Sequence, residues 1–250
     1  MDSKDIFWNA TIDELKRGYI KTADNYICLI CNKEIDKGVI YPVDSMLYTA
    51  EKYMSLHIGK SHGSVFEYIL GMDKKLTGLS EHQKNLLGAF YKGRSDEETR
   101  KELDIGSTST IRNHRFAFKE KERQSKLFLV LMELLKQKDK YAPEIVDIHK
   151  TAKMIDERYN ITSDEMDSAL KKYFPAGIES QLSKFPKKQK HKLIVLRNIA
   201  SRFENSRVYN EKEVNGILKT AGDDYVTIRR YLIEYGFLDR KPDGSQYWLK

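Results

Sequence analysis

SDEETRKELDIGSTSTIRNHRF, residues 95–116, carries two serines at the starts of helical patterns and a short turn between them. Ser95 stands three residues before Glu98, an arrangement in which cap and glutamate can satisfy each other's backbone donors. Leu103 closes the apolar pattern of that helix. Asp104-Ile105-Gly106 is a turn, and Ser107 opens a further helix with Ile111 facing inward. Upstream, Ser80 and Gln83 form a second capping pair. They precede a helix with Leu86, Leu87 and Phe90 on one face, and Gly93 ends it. Two capped helices joined by a short turn are the requirement of a helix-turn-helix. In that motif the second helix lies in the major groove with its first residues at base edges. Thr108, Ser109, Arg112, Asn113 and Arg115 are the side chains so placed. Arginine can be bidentate to guanine and asparagine to adenine, and serine or threonine can serve bases or phosphates.

LSEHQKNLLGAFYKGRSDEETRKELDIGSTSTIRNHRF (79–116) resembles the LuxR/GerE type of helix-turn-helix. Leu79-Ser80, Gln83, Gly93, Ser95 and Thr110-Ile111-Arg112-Asn113-His114 fall in the family's order. The resemblance implies a regulator that binds double-stranded DNA through a helix over 107–120. Thr108, Ser109 and Arg112 then read bases, Asn113 and His114 support backbone contacts, and Ser107 at the helix start is a further DNA-binding position. The chain departs from the pattern at Gly106, an extra turn residue, and at Arg115, where the family has an apolar side chain. The helix also runs on through EKERQSKLFLVLMELLKQ (120–137). Its stripe of Leu127, Leu131 and Leu134, with Phe128, Val130 and Leu135 beside it, is intramolecular core, the seam of a homodimer, or both.

The 250 residues leave room for one large domain or two to three small ones. With 40% hydrophobic and 32% charged residues, the chain can build cores and stay in water. No apolar run reaches the roughly 18 residues of a membrane span. The opening MDSKDIFWNA lacks the apolar stretch of a secretory signal, so a cytoplasmic protein with no membrane partner is expected. A net charge of +7 fits a polyanionic partner and equally fits ordinary solubility charge.

Both cysteines of the chain lie in Cys28-x2-Cys31, and His57-x4-His62 follows 25 residues later. Two thiolates at a tight knuckle and two imidazoles at a helix or its end make a closed S2N2 site, the arrangement of structural zinc. The long intervening segment separates it from a simple DNA-reading finger. Four protein ligands leave no open position for catalysis, and binding would supply on the order of 10 kcal/mol toward folding this region.

The C-terminal KFPKKQKHKLIVLRNIASRF (184–203) begins basic and becomes amphipathic, with Ile194, Val195, Ile199 and Phe203 on one face. A second helix follows, capped by Asn210 with Glu213 and carrying Val214, Ile217 and Leu218 inward. A third runs from Asp223 to Gly236. FLDRKPDGSQYWLK (237–250) reads as a hairpin turning at Pro242-Asp243-Gly244. Three helices and a hairpin are the order of a winged helix. Tyr225, Thr227, Arg229 and Arg230 would then face the groove, with Lys241 on the wing and Lys187, Lys188 and Lys190 near phosphates. The arginines have alternative partners in Glu234, Asp223 and Asp224, and such a fold also serves as a protein-docking module. This segment, over most of 174–248, resembles a bacterial domain family of unassigned biochemical function that is often fused to transcription regulators.

No Gly-rich phosphate loop, G-x-S-x-G or H-E-x-x-H occurs. A zinc-supported nuclease would need a second ligand cluster, whereas His82, His114, His149 and His191 are scattered. The expected protein is therefore a non-enzymatic bacterial transcription regulator of mainly α class. Its expected parts are a zinc-finger-like region (1–72), a helix-turn-helix with a long C-terminal helix (73–137), a helical connector (138–174) and a winged-helix-like domain (175–250). A protein-interaction adaptor is the alternative.

Overall fold

Serine, threonine and asparagine side chains mark most helix starts, because their oxygens accept a first-turn N–H that the helix itself leaves unpaired. The computed structural model of the chain describes residues 6–153, 155–205 and 207–250. It is about half helical with small antiparallel sheets, and it divides into two units. One comprises residues up to 76 together with 144–250, and the other comprises 77–143.

In the first unit, α1 (Ile12–Arg17) leads into β1 (Tyr19–Lys21), β2 (Asn25–Cys28) and β3 (Glu34–Asp36), which form an antiparallel sheet in that order. A two-stranded hairpin follows, β4 (Tyr41–Val43) and β5 (Met46–Tyr48), turning on Asp44 and Ser45. Both turn residues have positive φ, the requirement of the tight turn that matches strand twist. Thr49 then caps α2 (Ala50–His62). Ala50, Met54 and Ile58 recur at helical spacing and are buried against Tyr19, Tyr26, Cys28 and Ile35 of the sheet. α3 (Val65–Gly71) and α4 (Lys74–Thr77) follow, and Phe7, Leu29 and Met72 form a second small core.

The second unit contains α5 (Glu81–Tyr91), α6 (Asp96–Glu102) and α7 (Thr108–Lys136). Both anticipated capping boxes, Ser80 with Gln83 and Ser95 with Glu98, are formed, and Ser107 accepts from Thr110 N. Leu86, Ile105 and Ile111 are its buried centre, with Phe90, Leu103 and Phe118 packed on them. The left-handed residue of the α6–α7 turn is Asp104, with φ of 50°, and not Gly106. α7 is one continuous helix of 29 residues. Its apolar stretch from Leu127 to Leu135 is exposed and lies outside the buried centre of this unit.

The first unit resumes at Glu144. Residues 144–153 and 155–162 do not form the expected helical connector. They run as an irregular strap with one 3-10 turn at Glu157–Tyr159 and a bridge from Ile145 to Thr162, and only α8 (Ser163–Tyr173) is helical. Then come α9 (Gln189–Ala200), β6 (Val208–Tyr209), α10 (Glu211–Lys219), α11 (Tyr225–Glu234), β7 (Leu238–Arg240) and β8 (Tyr247–Leu249). The last three strands pair in the order β6-β8-β7. The core here is the largest in the molecule, centred on Leu196, Ile199, Leu218, Leu232 and Tyr247. Gly236 has φ of 85°, and a Cβ there would run into the Thr151 carbonyl, so the strap is seated against a position only glycine fills.

Asn210 and Glu213 form a complete reciprocal cap on α10, with Asn210 N to Glu213 Oε2 at 2.8 Å and Glu213 N to Asn210 Oδ1 at 3.0 Å. Asn210→Ala is expected to cost about 1 kcal/mol in urea denaturation. An unchanged midpoint would show that the cap does not support this core.

Candidate metal centre and nucleic-acid interface

Cys28 ends β2, and the chain turns at once through Leu29 and Ile30 to Cys31. Asn32 N donates to Cys28 O at 2.9 Å and Cys28 N to Lys33 O at 2.9 Å, which folds the segment into a knuckle. Asn32 adopts φ of 59° to make it. Across the core, α2 carries His57 and ends on His62. Packing of Met54 and Ile58 on the sheet fixes which side of α2 faces the knuckle.

All four predicted ligands therefore converge, with one donor atom from each of Cys28, Cys31, His57 and His62 lying within 4.8 Å of the others. Cys31 Sγ is 3.2 Å from His57 Nε2, and the two Nε2 atoms are 3.3 Å apart. A tetrahedral ion with metal–sulfur bonds of about 2.3 Å and metal–nitrogen bonds of about 2.0 Å spaces its donors by roughly 3.3–3.8 Å. The cluster is close to that spacing, so these residues could hold a metal ion.

The protonation pattern favours the same use. The Cys31 thiol is drawn down, first by its hydrogen bond with Cys28 and also by His57 and His62. Cys28 is pushed up by that same bond and by burial. A cation held here would displace the proton that burial favours on the Cys28 thiol. Ser61 Oγ lies 3.2 Å from His57 Nδ1. A proton on Nδ1 donated to Ser61 leaves the Nε2 lone pair for the cluster.

Two supports were not visible in the spacing. Ser61 sits four residues after His57 on the same helix, which helical periodicity could have shown. Lys150 could not have been found that way. From the strap, more than a hundred residues on, its buried Nζ donates to Leu29 O at 2.7 Å and to Asn32 Oδ1 at 3.3 Å, gripping the knuckle from outside.

In the second unit the first turns of α7 present Ser109, Arg112 and Asn113 to solvent, with Ile111 fully buried beneath them. Ser107 is the cap and Thr108 is half-buried. The Arg112 side chain is 75% exposed and 3.8 Å from Asp96. His114 packs its ring on His82. Arg115 is engaged inside the unit: it bonds Asp96 at 2.8 Å and lies 3.6 Å over the Phe90 ring. That stacking gives the departure at this position a packing role in place of the apolar residue.

In the C-terminal region, Lys187, Lys188, Arg230 and Lys241 are exposed. Tyr225 is half-buried beside Lys219, and Thr227 N receives the Asp224 cap. Lys190 reaches both Glu165 oxygens, at 2.6 and 2.7 Å. Arg229 is held by Glu211 at 2.7 Å and Asn215 at 2.6 Å, partners on α10 and not the acidic residues near it in sequence.

No helix among the described residues is long and apolar enough to cross a membrane. No curated protein and no solved structure matches the chain. Residues 181–249 match a bacterial family described as an uncharacterized protein conserved in bacteria (DUF2087), which covers α9 to β8.

Proposed function

We propose that the chain is a DNA-binding transcription regulator with a structural zinc ion at Cys28, Cys31, His57 and His62. The observation that carries this reading is the start of α7. A buried Ile111 anchors the helix while Ser109, Arg112 and Asn113 stand together in solvent, with α6 and a short turn before it. These are side chains able to read major-groove edges, on the helix that a helix-turn-helix would insert. Zinc suits the donor set because two sulfurs and two imidazole nitrogens match its tetrahedral preference and leave no open position. The C-terminal α9, α10, α11 and hairpin follow the order of a winged helix. There Lys187, Lys188, Arg230 and Lys241 are free to meet phosphates, whereas Arg229 and Lys190 would first have to leave their acidic partners.

The capture of Arg229 favours a second reading for that C-terminal region alone, a surface for docking another protein. Salt separates the two uses. A chain that neutralises several phosphates loses duplex affinity steeply as salt rises, while a docking module without phosphate contacts shows no such duplex affinity. Arg112→Ala is expected to remove about 1–3 kcal/mol of discrimination between target and non-target duplex, measured by competition binding. An equal loss on every duplex would make Arg112 a phosphate contact.

A further inference from the structure

From Leu127 to Leu135 the long helix α7 shows side chains that water should not see. Leu127 is 68% exposed, Phe128 62% and Leu131 63%, and Leu134 and Leu135 are about half exposed. Helical periodicity puts Leu127, Phe128, Val130, Leu131, Leu134 and Leu135 on one wide side, and Ser125, Lys126, Glu133 and Lys136 on the other with the exposed Leu129 among them. Three of the charges flanking the band have partners along the helix itself. Lys119 pairs with Glu122, Arg123 with Glu120 and Lys136 with Glu133. The wide apolar side is thus free of charged side chains, while Glu133 and the other charges lie on the opposite side and beyond the ends.

Its area indicates what covers it. The six apolar side chains of that side together expose on the order of 650 Å², at the top of the roughly 300–600 Å² of the largest patch on an ordinary monomer. Two such sides together bury roughly 1,300 Å², within the roughly 1,200–2,000 Å² of a specific stable interface. A lone helical stretch of this length is also marginal in water and depends on packing for its order. The helix is too short in apolar length to be a membrane span. Because the band is uniform and uncharged, an identical band complements it without any matching chemistry from elsewhere, and twofold pairing of like surfaces is the commonest closed assembly.

We infer that residues 127–135 of α7 are the interface through which two copies of this chain associate. The inference does not depend on the DNA reading, since the dimer would form with no duplex present. The test is the mass of the full chain in solution, measured by sedimentation across micromolar and higher concentrations, for wild type and for Leu131→Glu with Leu134→Glu. Both substituted positions are exposed, so neither touches the Leu86, Ile105 and Ile111 core. The wild type should sediment at twice the chain mass. The double variant should fall to half of that with unchanged helical circular dichroism. A wild type that stays monomeric, or a folded double variant that stays dimeric, overturns the inference. So does slow amide exchange over 127–135 in a monomeric wild type, because the band would then be covered by its own chain. If the variant does not fold, the wild-type mass and exchange decide alone.

Discussion

Stripping the metal from zinc-loaded protein with a strong chelator should unfold the N-terminal part of the first unit and leave the C-terminal core standing. The sheet β1–β3 and helix α2 enclose only a small set of buried residues, with Cys28 itself among them. The core around Leu196 and Leu232 is much larger and contains no cysteine. Small domains bury too little to stand easily on burial alone, and a structural zinc contributes on the order of 10 kcal/mol to folding such a unit. The expected thermal profile is one transition for the loaded chain. After chelation, amide protection should be lost across 19–62 while it persists across 189–249. Cys28→Ser should reproduce this loss. Ser61→Ala should weaken zinc binding by about 10- to 100-fold, because the His57 ring loses the partner that orients it. Chelation that leaves both the melt and the exchange pattern unchanged would show that the cluster stabilises nothing. The strap should respond as well, since Lys150 grips backbone and side-chain oxygens that exist in place only while the knuckle is folded.

Acidification should destabilise the C-terminal core through His149. Its ring is stacked on Phe237 with centroids 4.0 Å apart, and Nε2 donates to Tyr235 O at 3.0 Å. Burial pushes its pKa from 6.5 down to about 4; the Tyr235 carbonyl opposes that shift and nearby Arg197 adds to it. In the unfolded chain the imidazole takes a proton near pH 6.5, whereas in the folded chain it stays neutral until about pH 4. Between those values the unfolded state binds more protons, so stability is full above pH 6.5 and is lost as pH falls toward 4. The integrated loss is about 3 kcal/mol. His149→Phe removes the titration, so the wild type should lose about 3 kcal/mol of stability relative to the variant as pH falls across this window. Parallel pH profiles would mean that the ring is not held neutral. The cluster histidines are present in both proteins, so their own protonation drops out of the difference.

The parts legible in the chain were those with short-range causes. Capping pairs at Ser80, Ser95 and Asn210 are formed where their spacing placed them, because a cap depends on three residues and little else. The cysteine and histidine pairs converge because each pair is local and a single core brings the two together. The hairpin of β4 and β5 escaped notice because its turn uses Asp44 and Ser45 at positive φ, without the glycine that usually marks such a turn. The strap over 144–162 looked helical by composition. Its Val146 and Ile148 instead pack on the C-terminal core in an irregular path, a choice that tertiary contacts make. Strand β6 pairs only with β8, about forty residues later, and two residues carry no periodicity to read. Arg229 looked available because its partners Glu211 and Asn215 lie on the preceding helix and not beside it in sequence.

The reading of DNA by α7 is tested most directly by selecting fragmented genomic DNA with the full-length protein and with Arg112→Ala at low salt, then sequencing what each retains. Enrichment of one shared motif by the wild type, lost in Arg112→Ala while its fold and zinc content are unchanged, is the predicted result. A wild type that enriches no motif, or an Arg112→Ala variant that enriches the same one equally well, would contradict it.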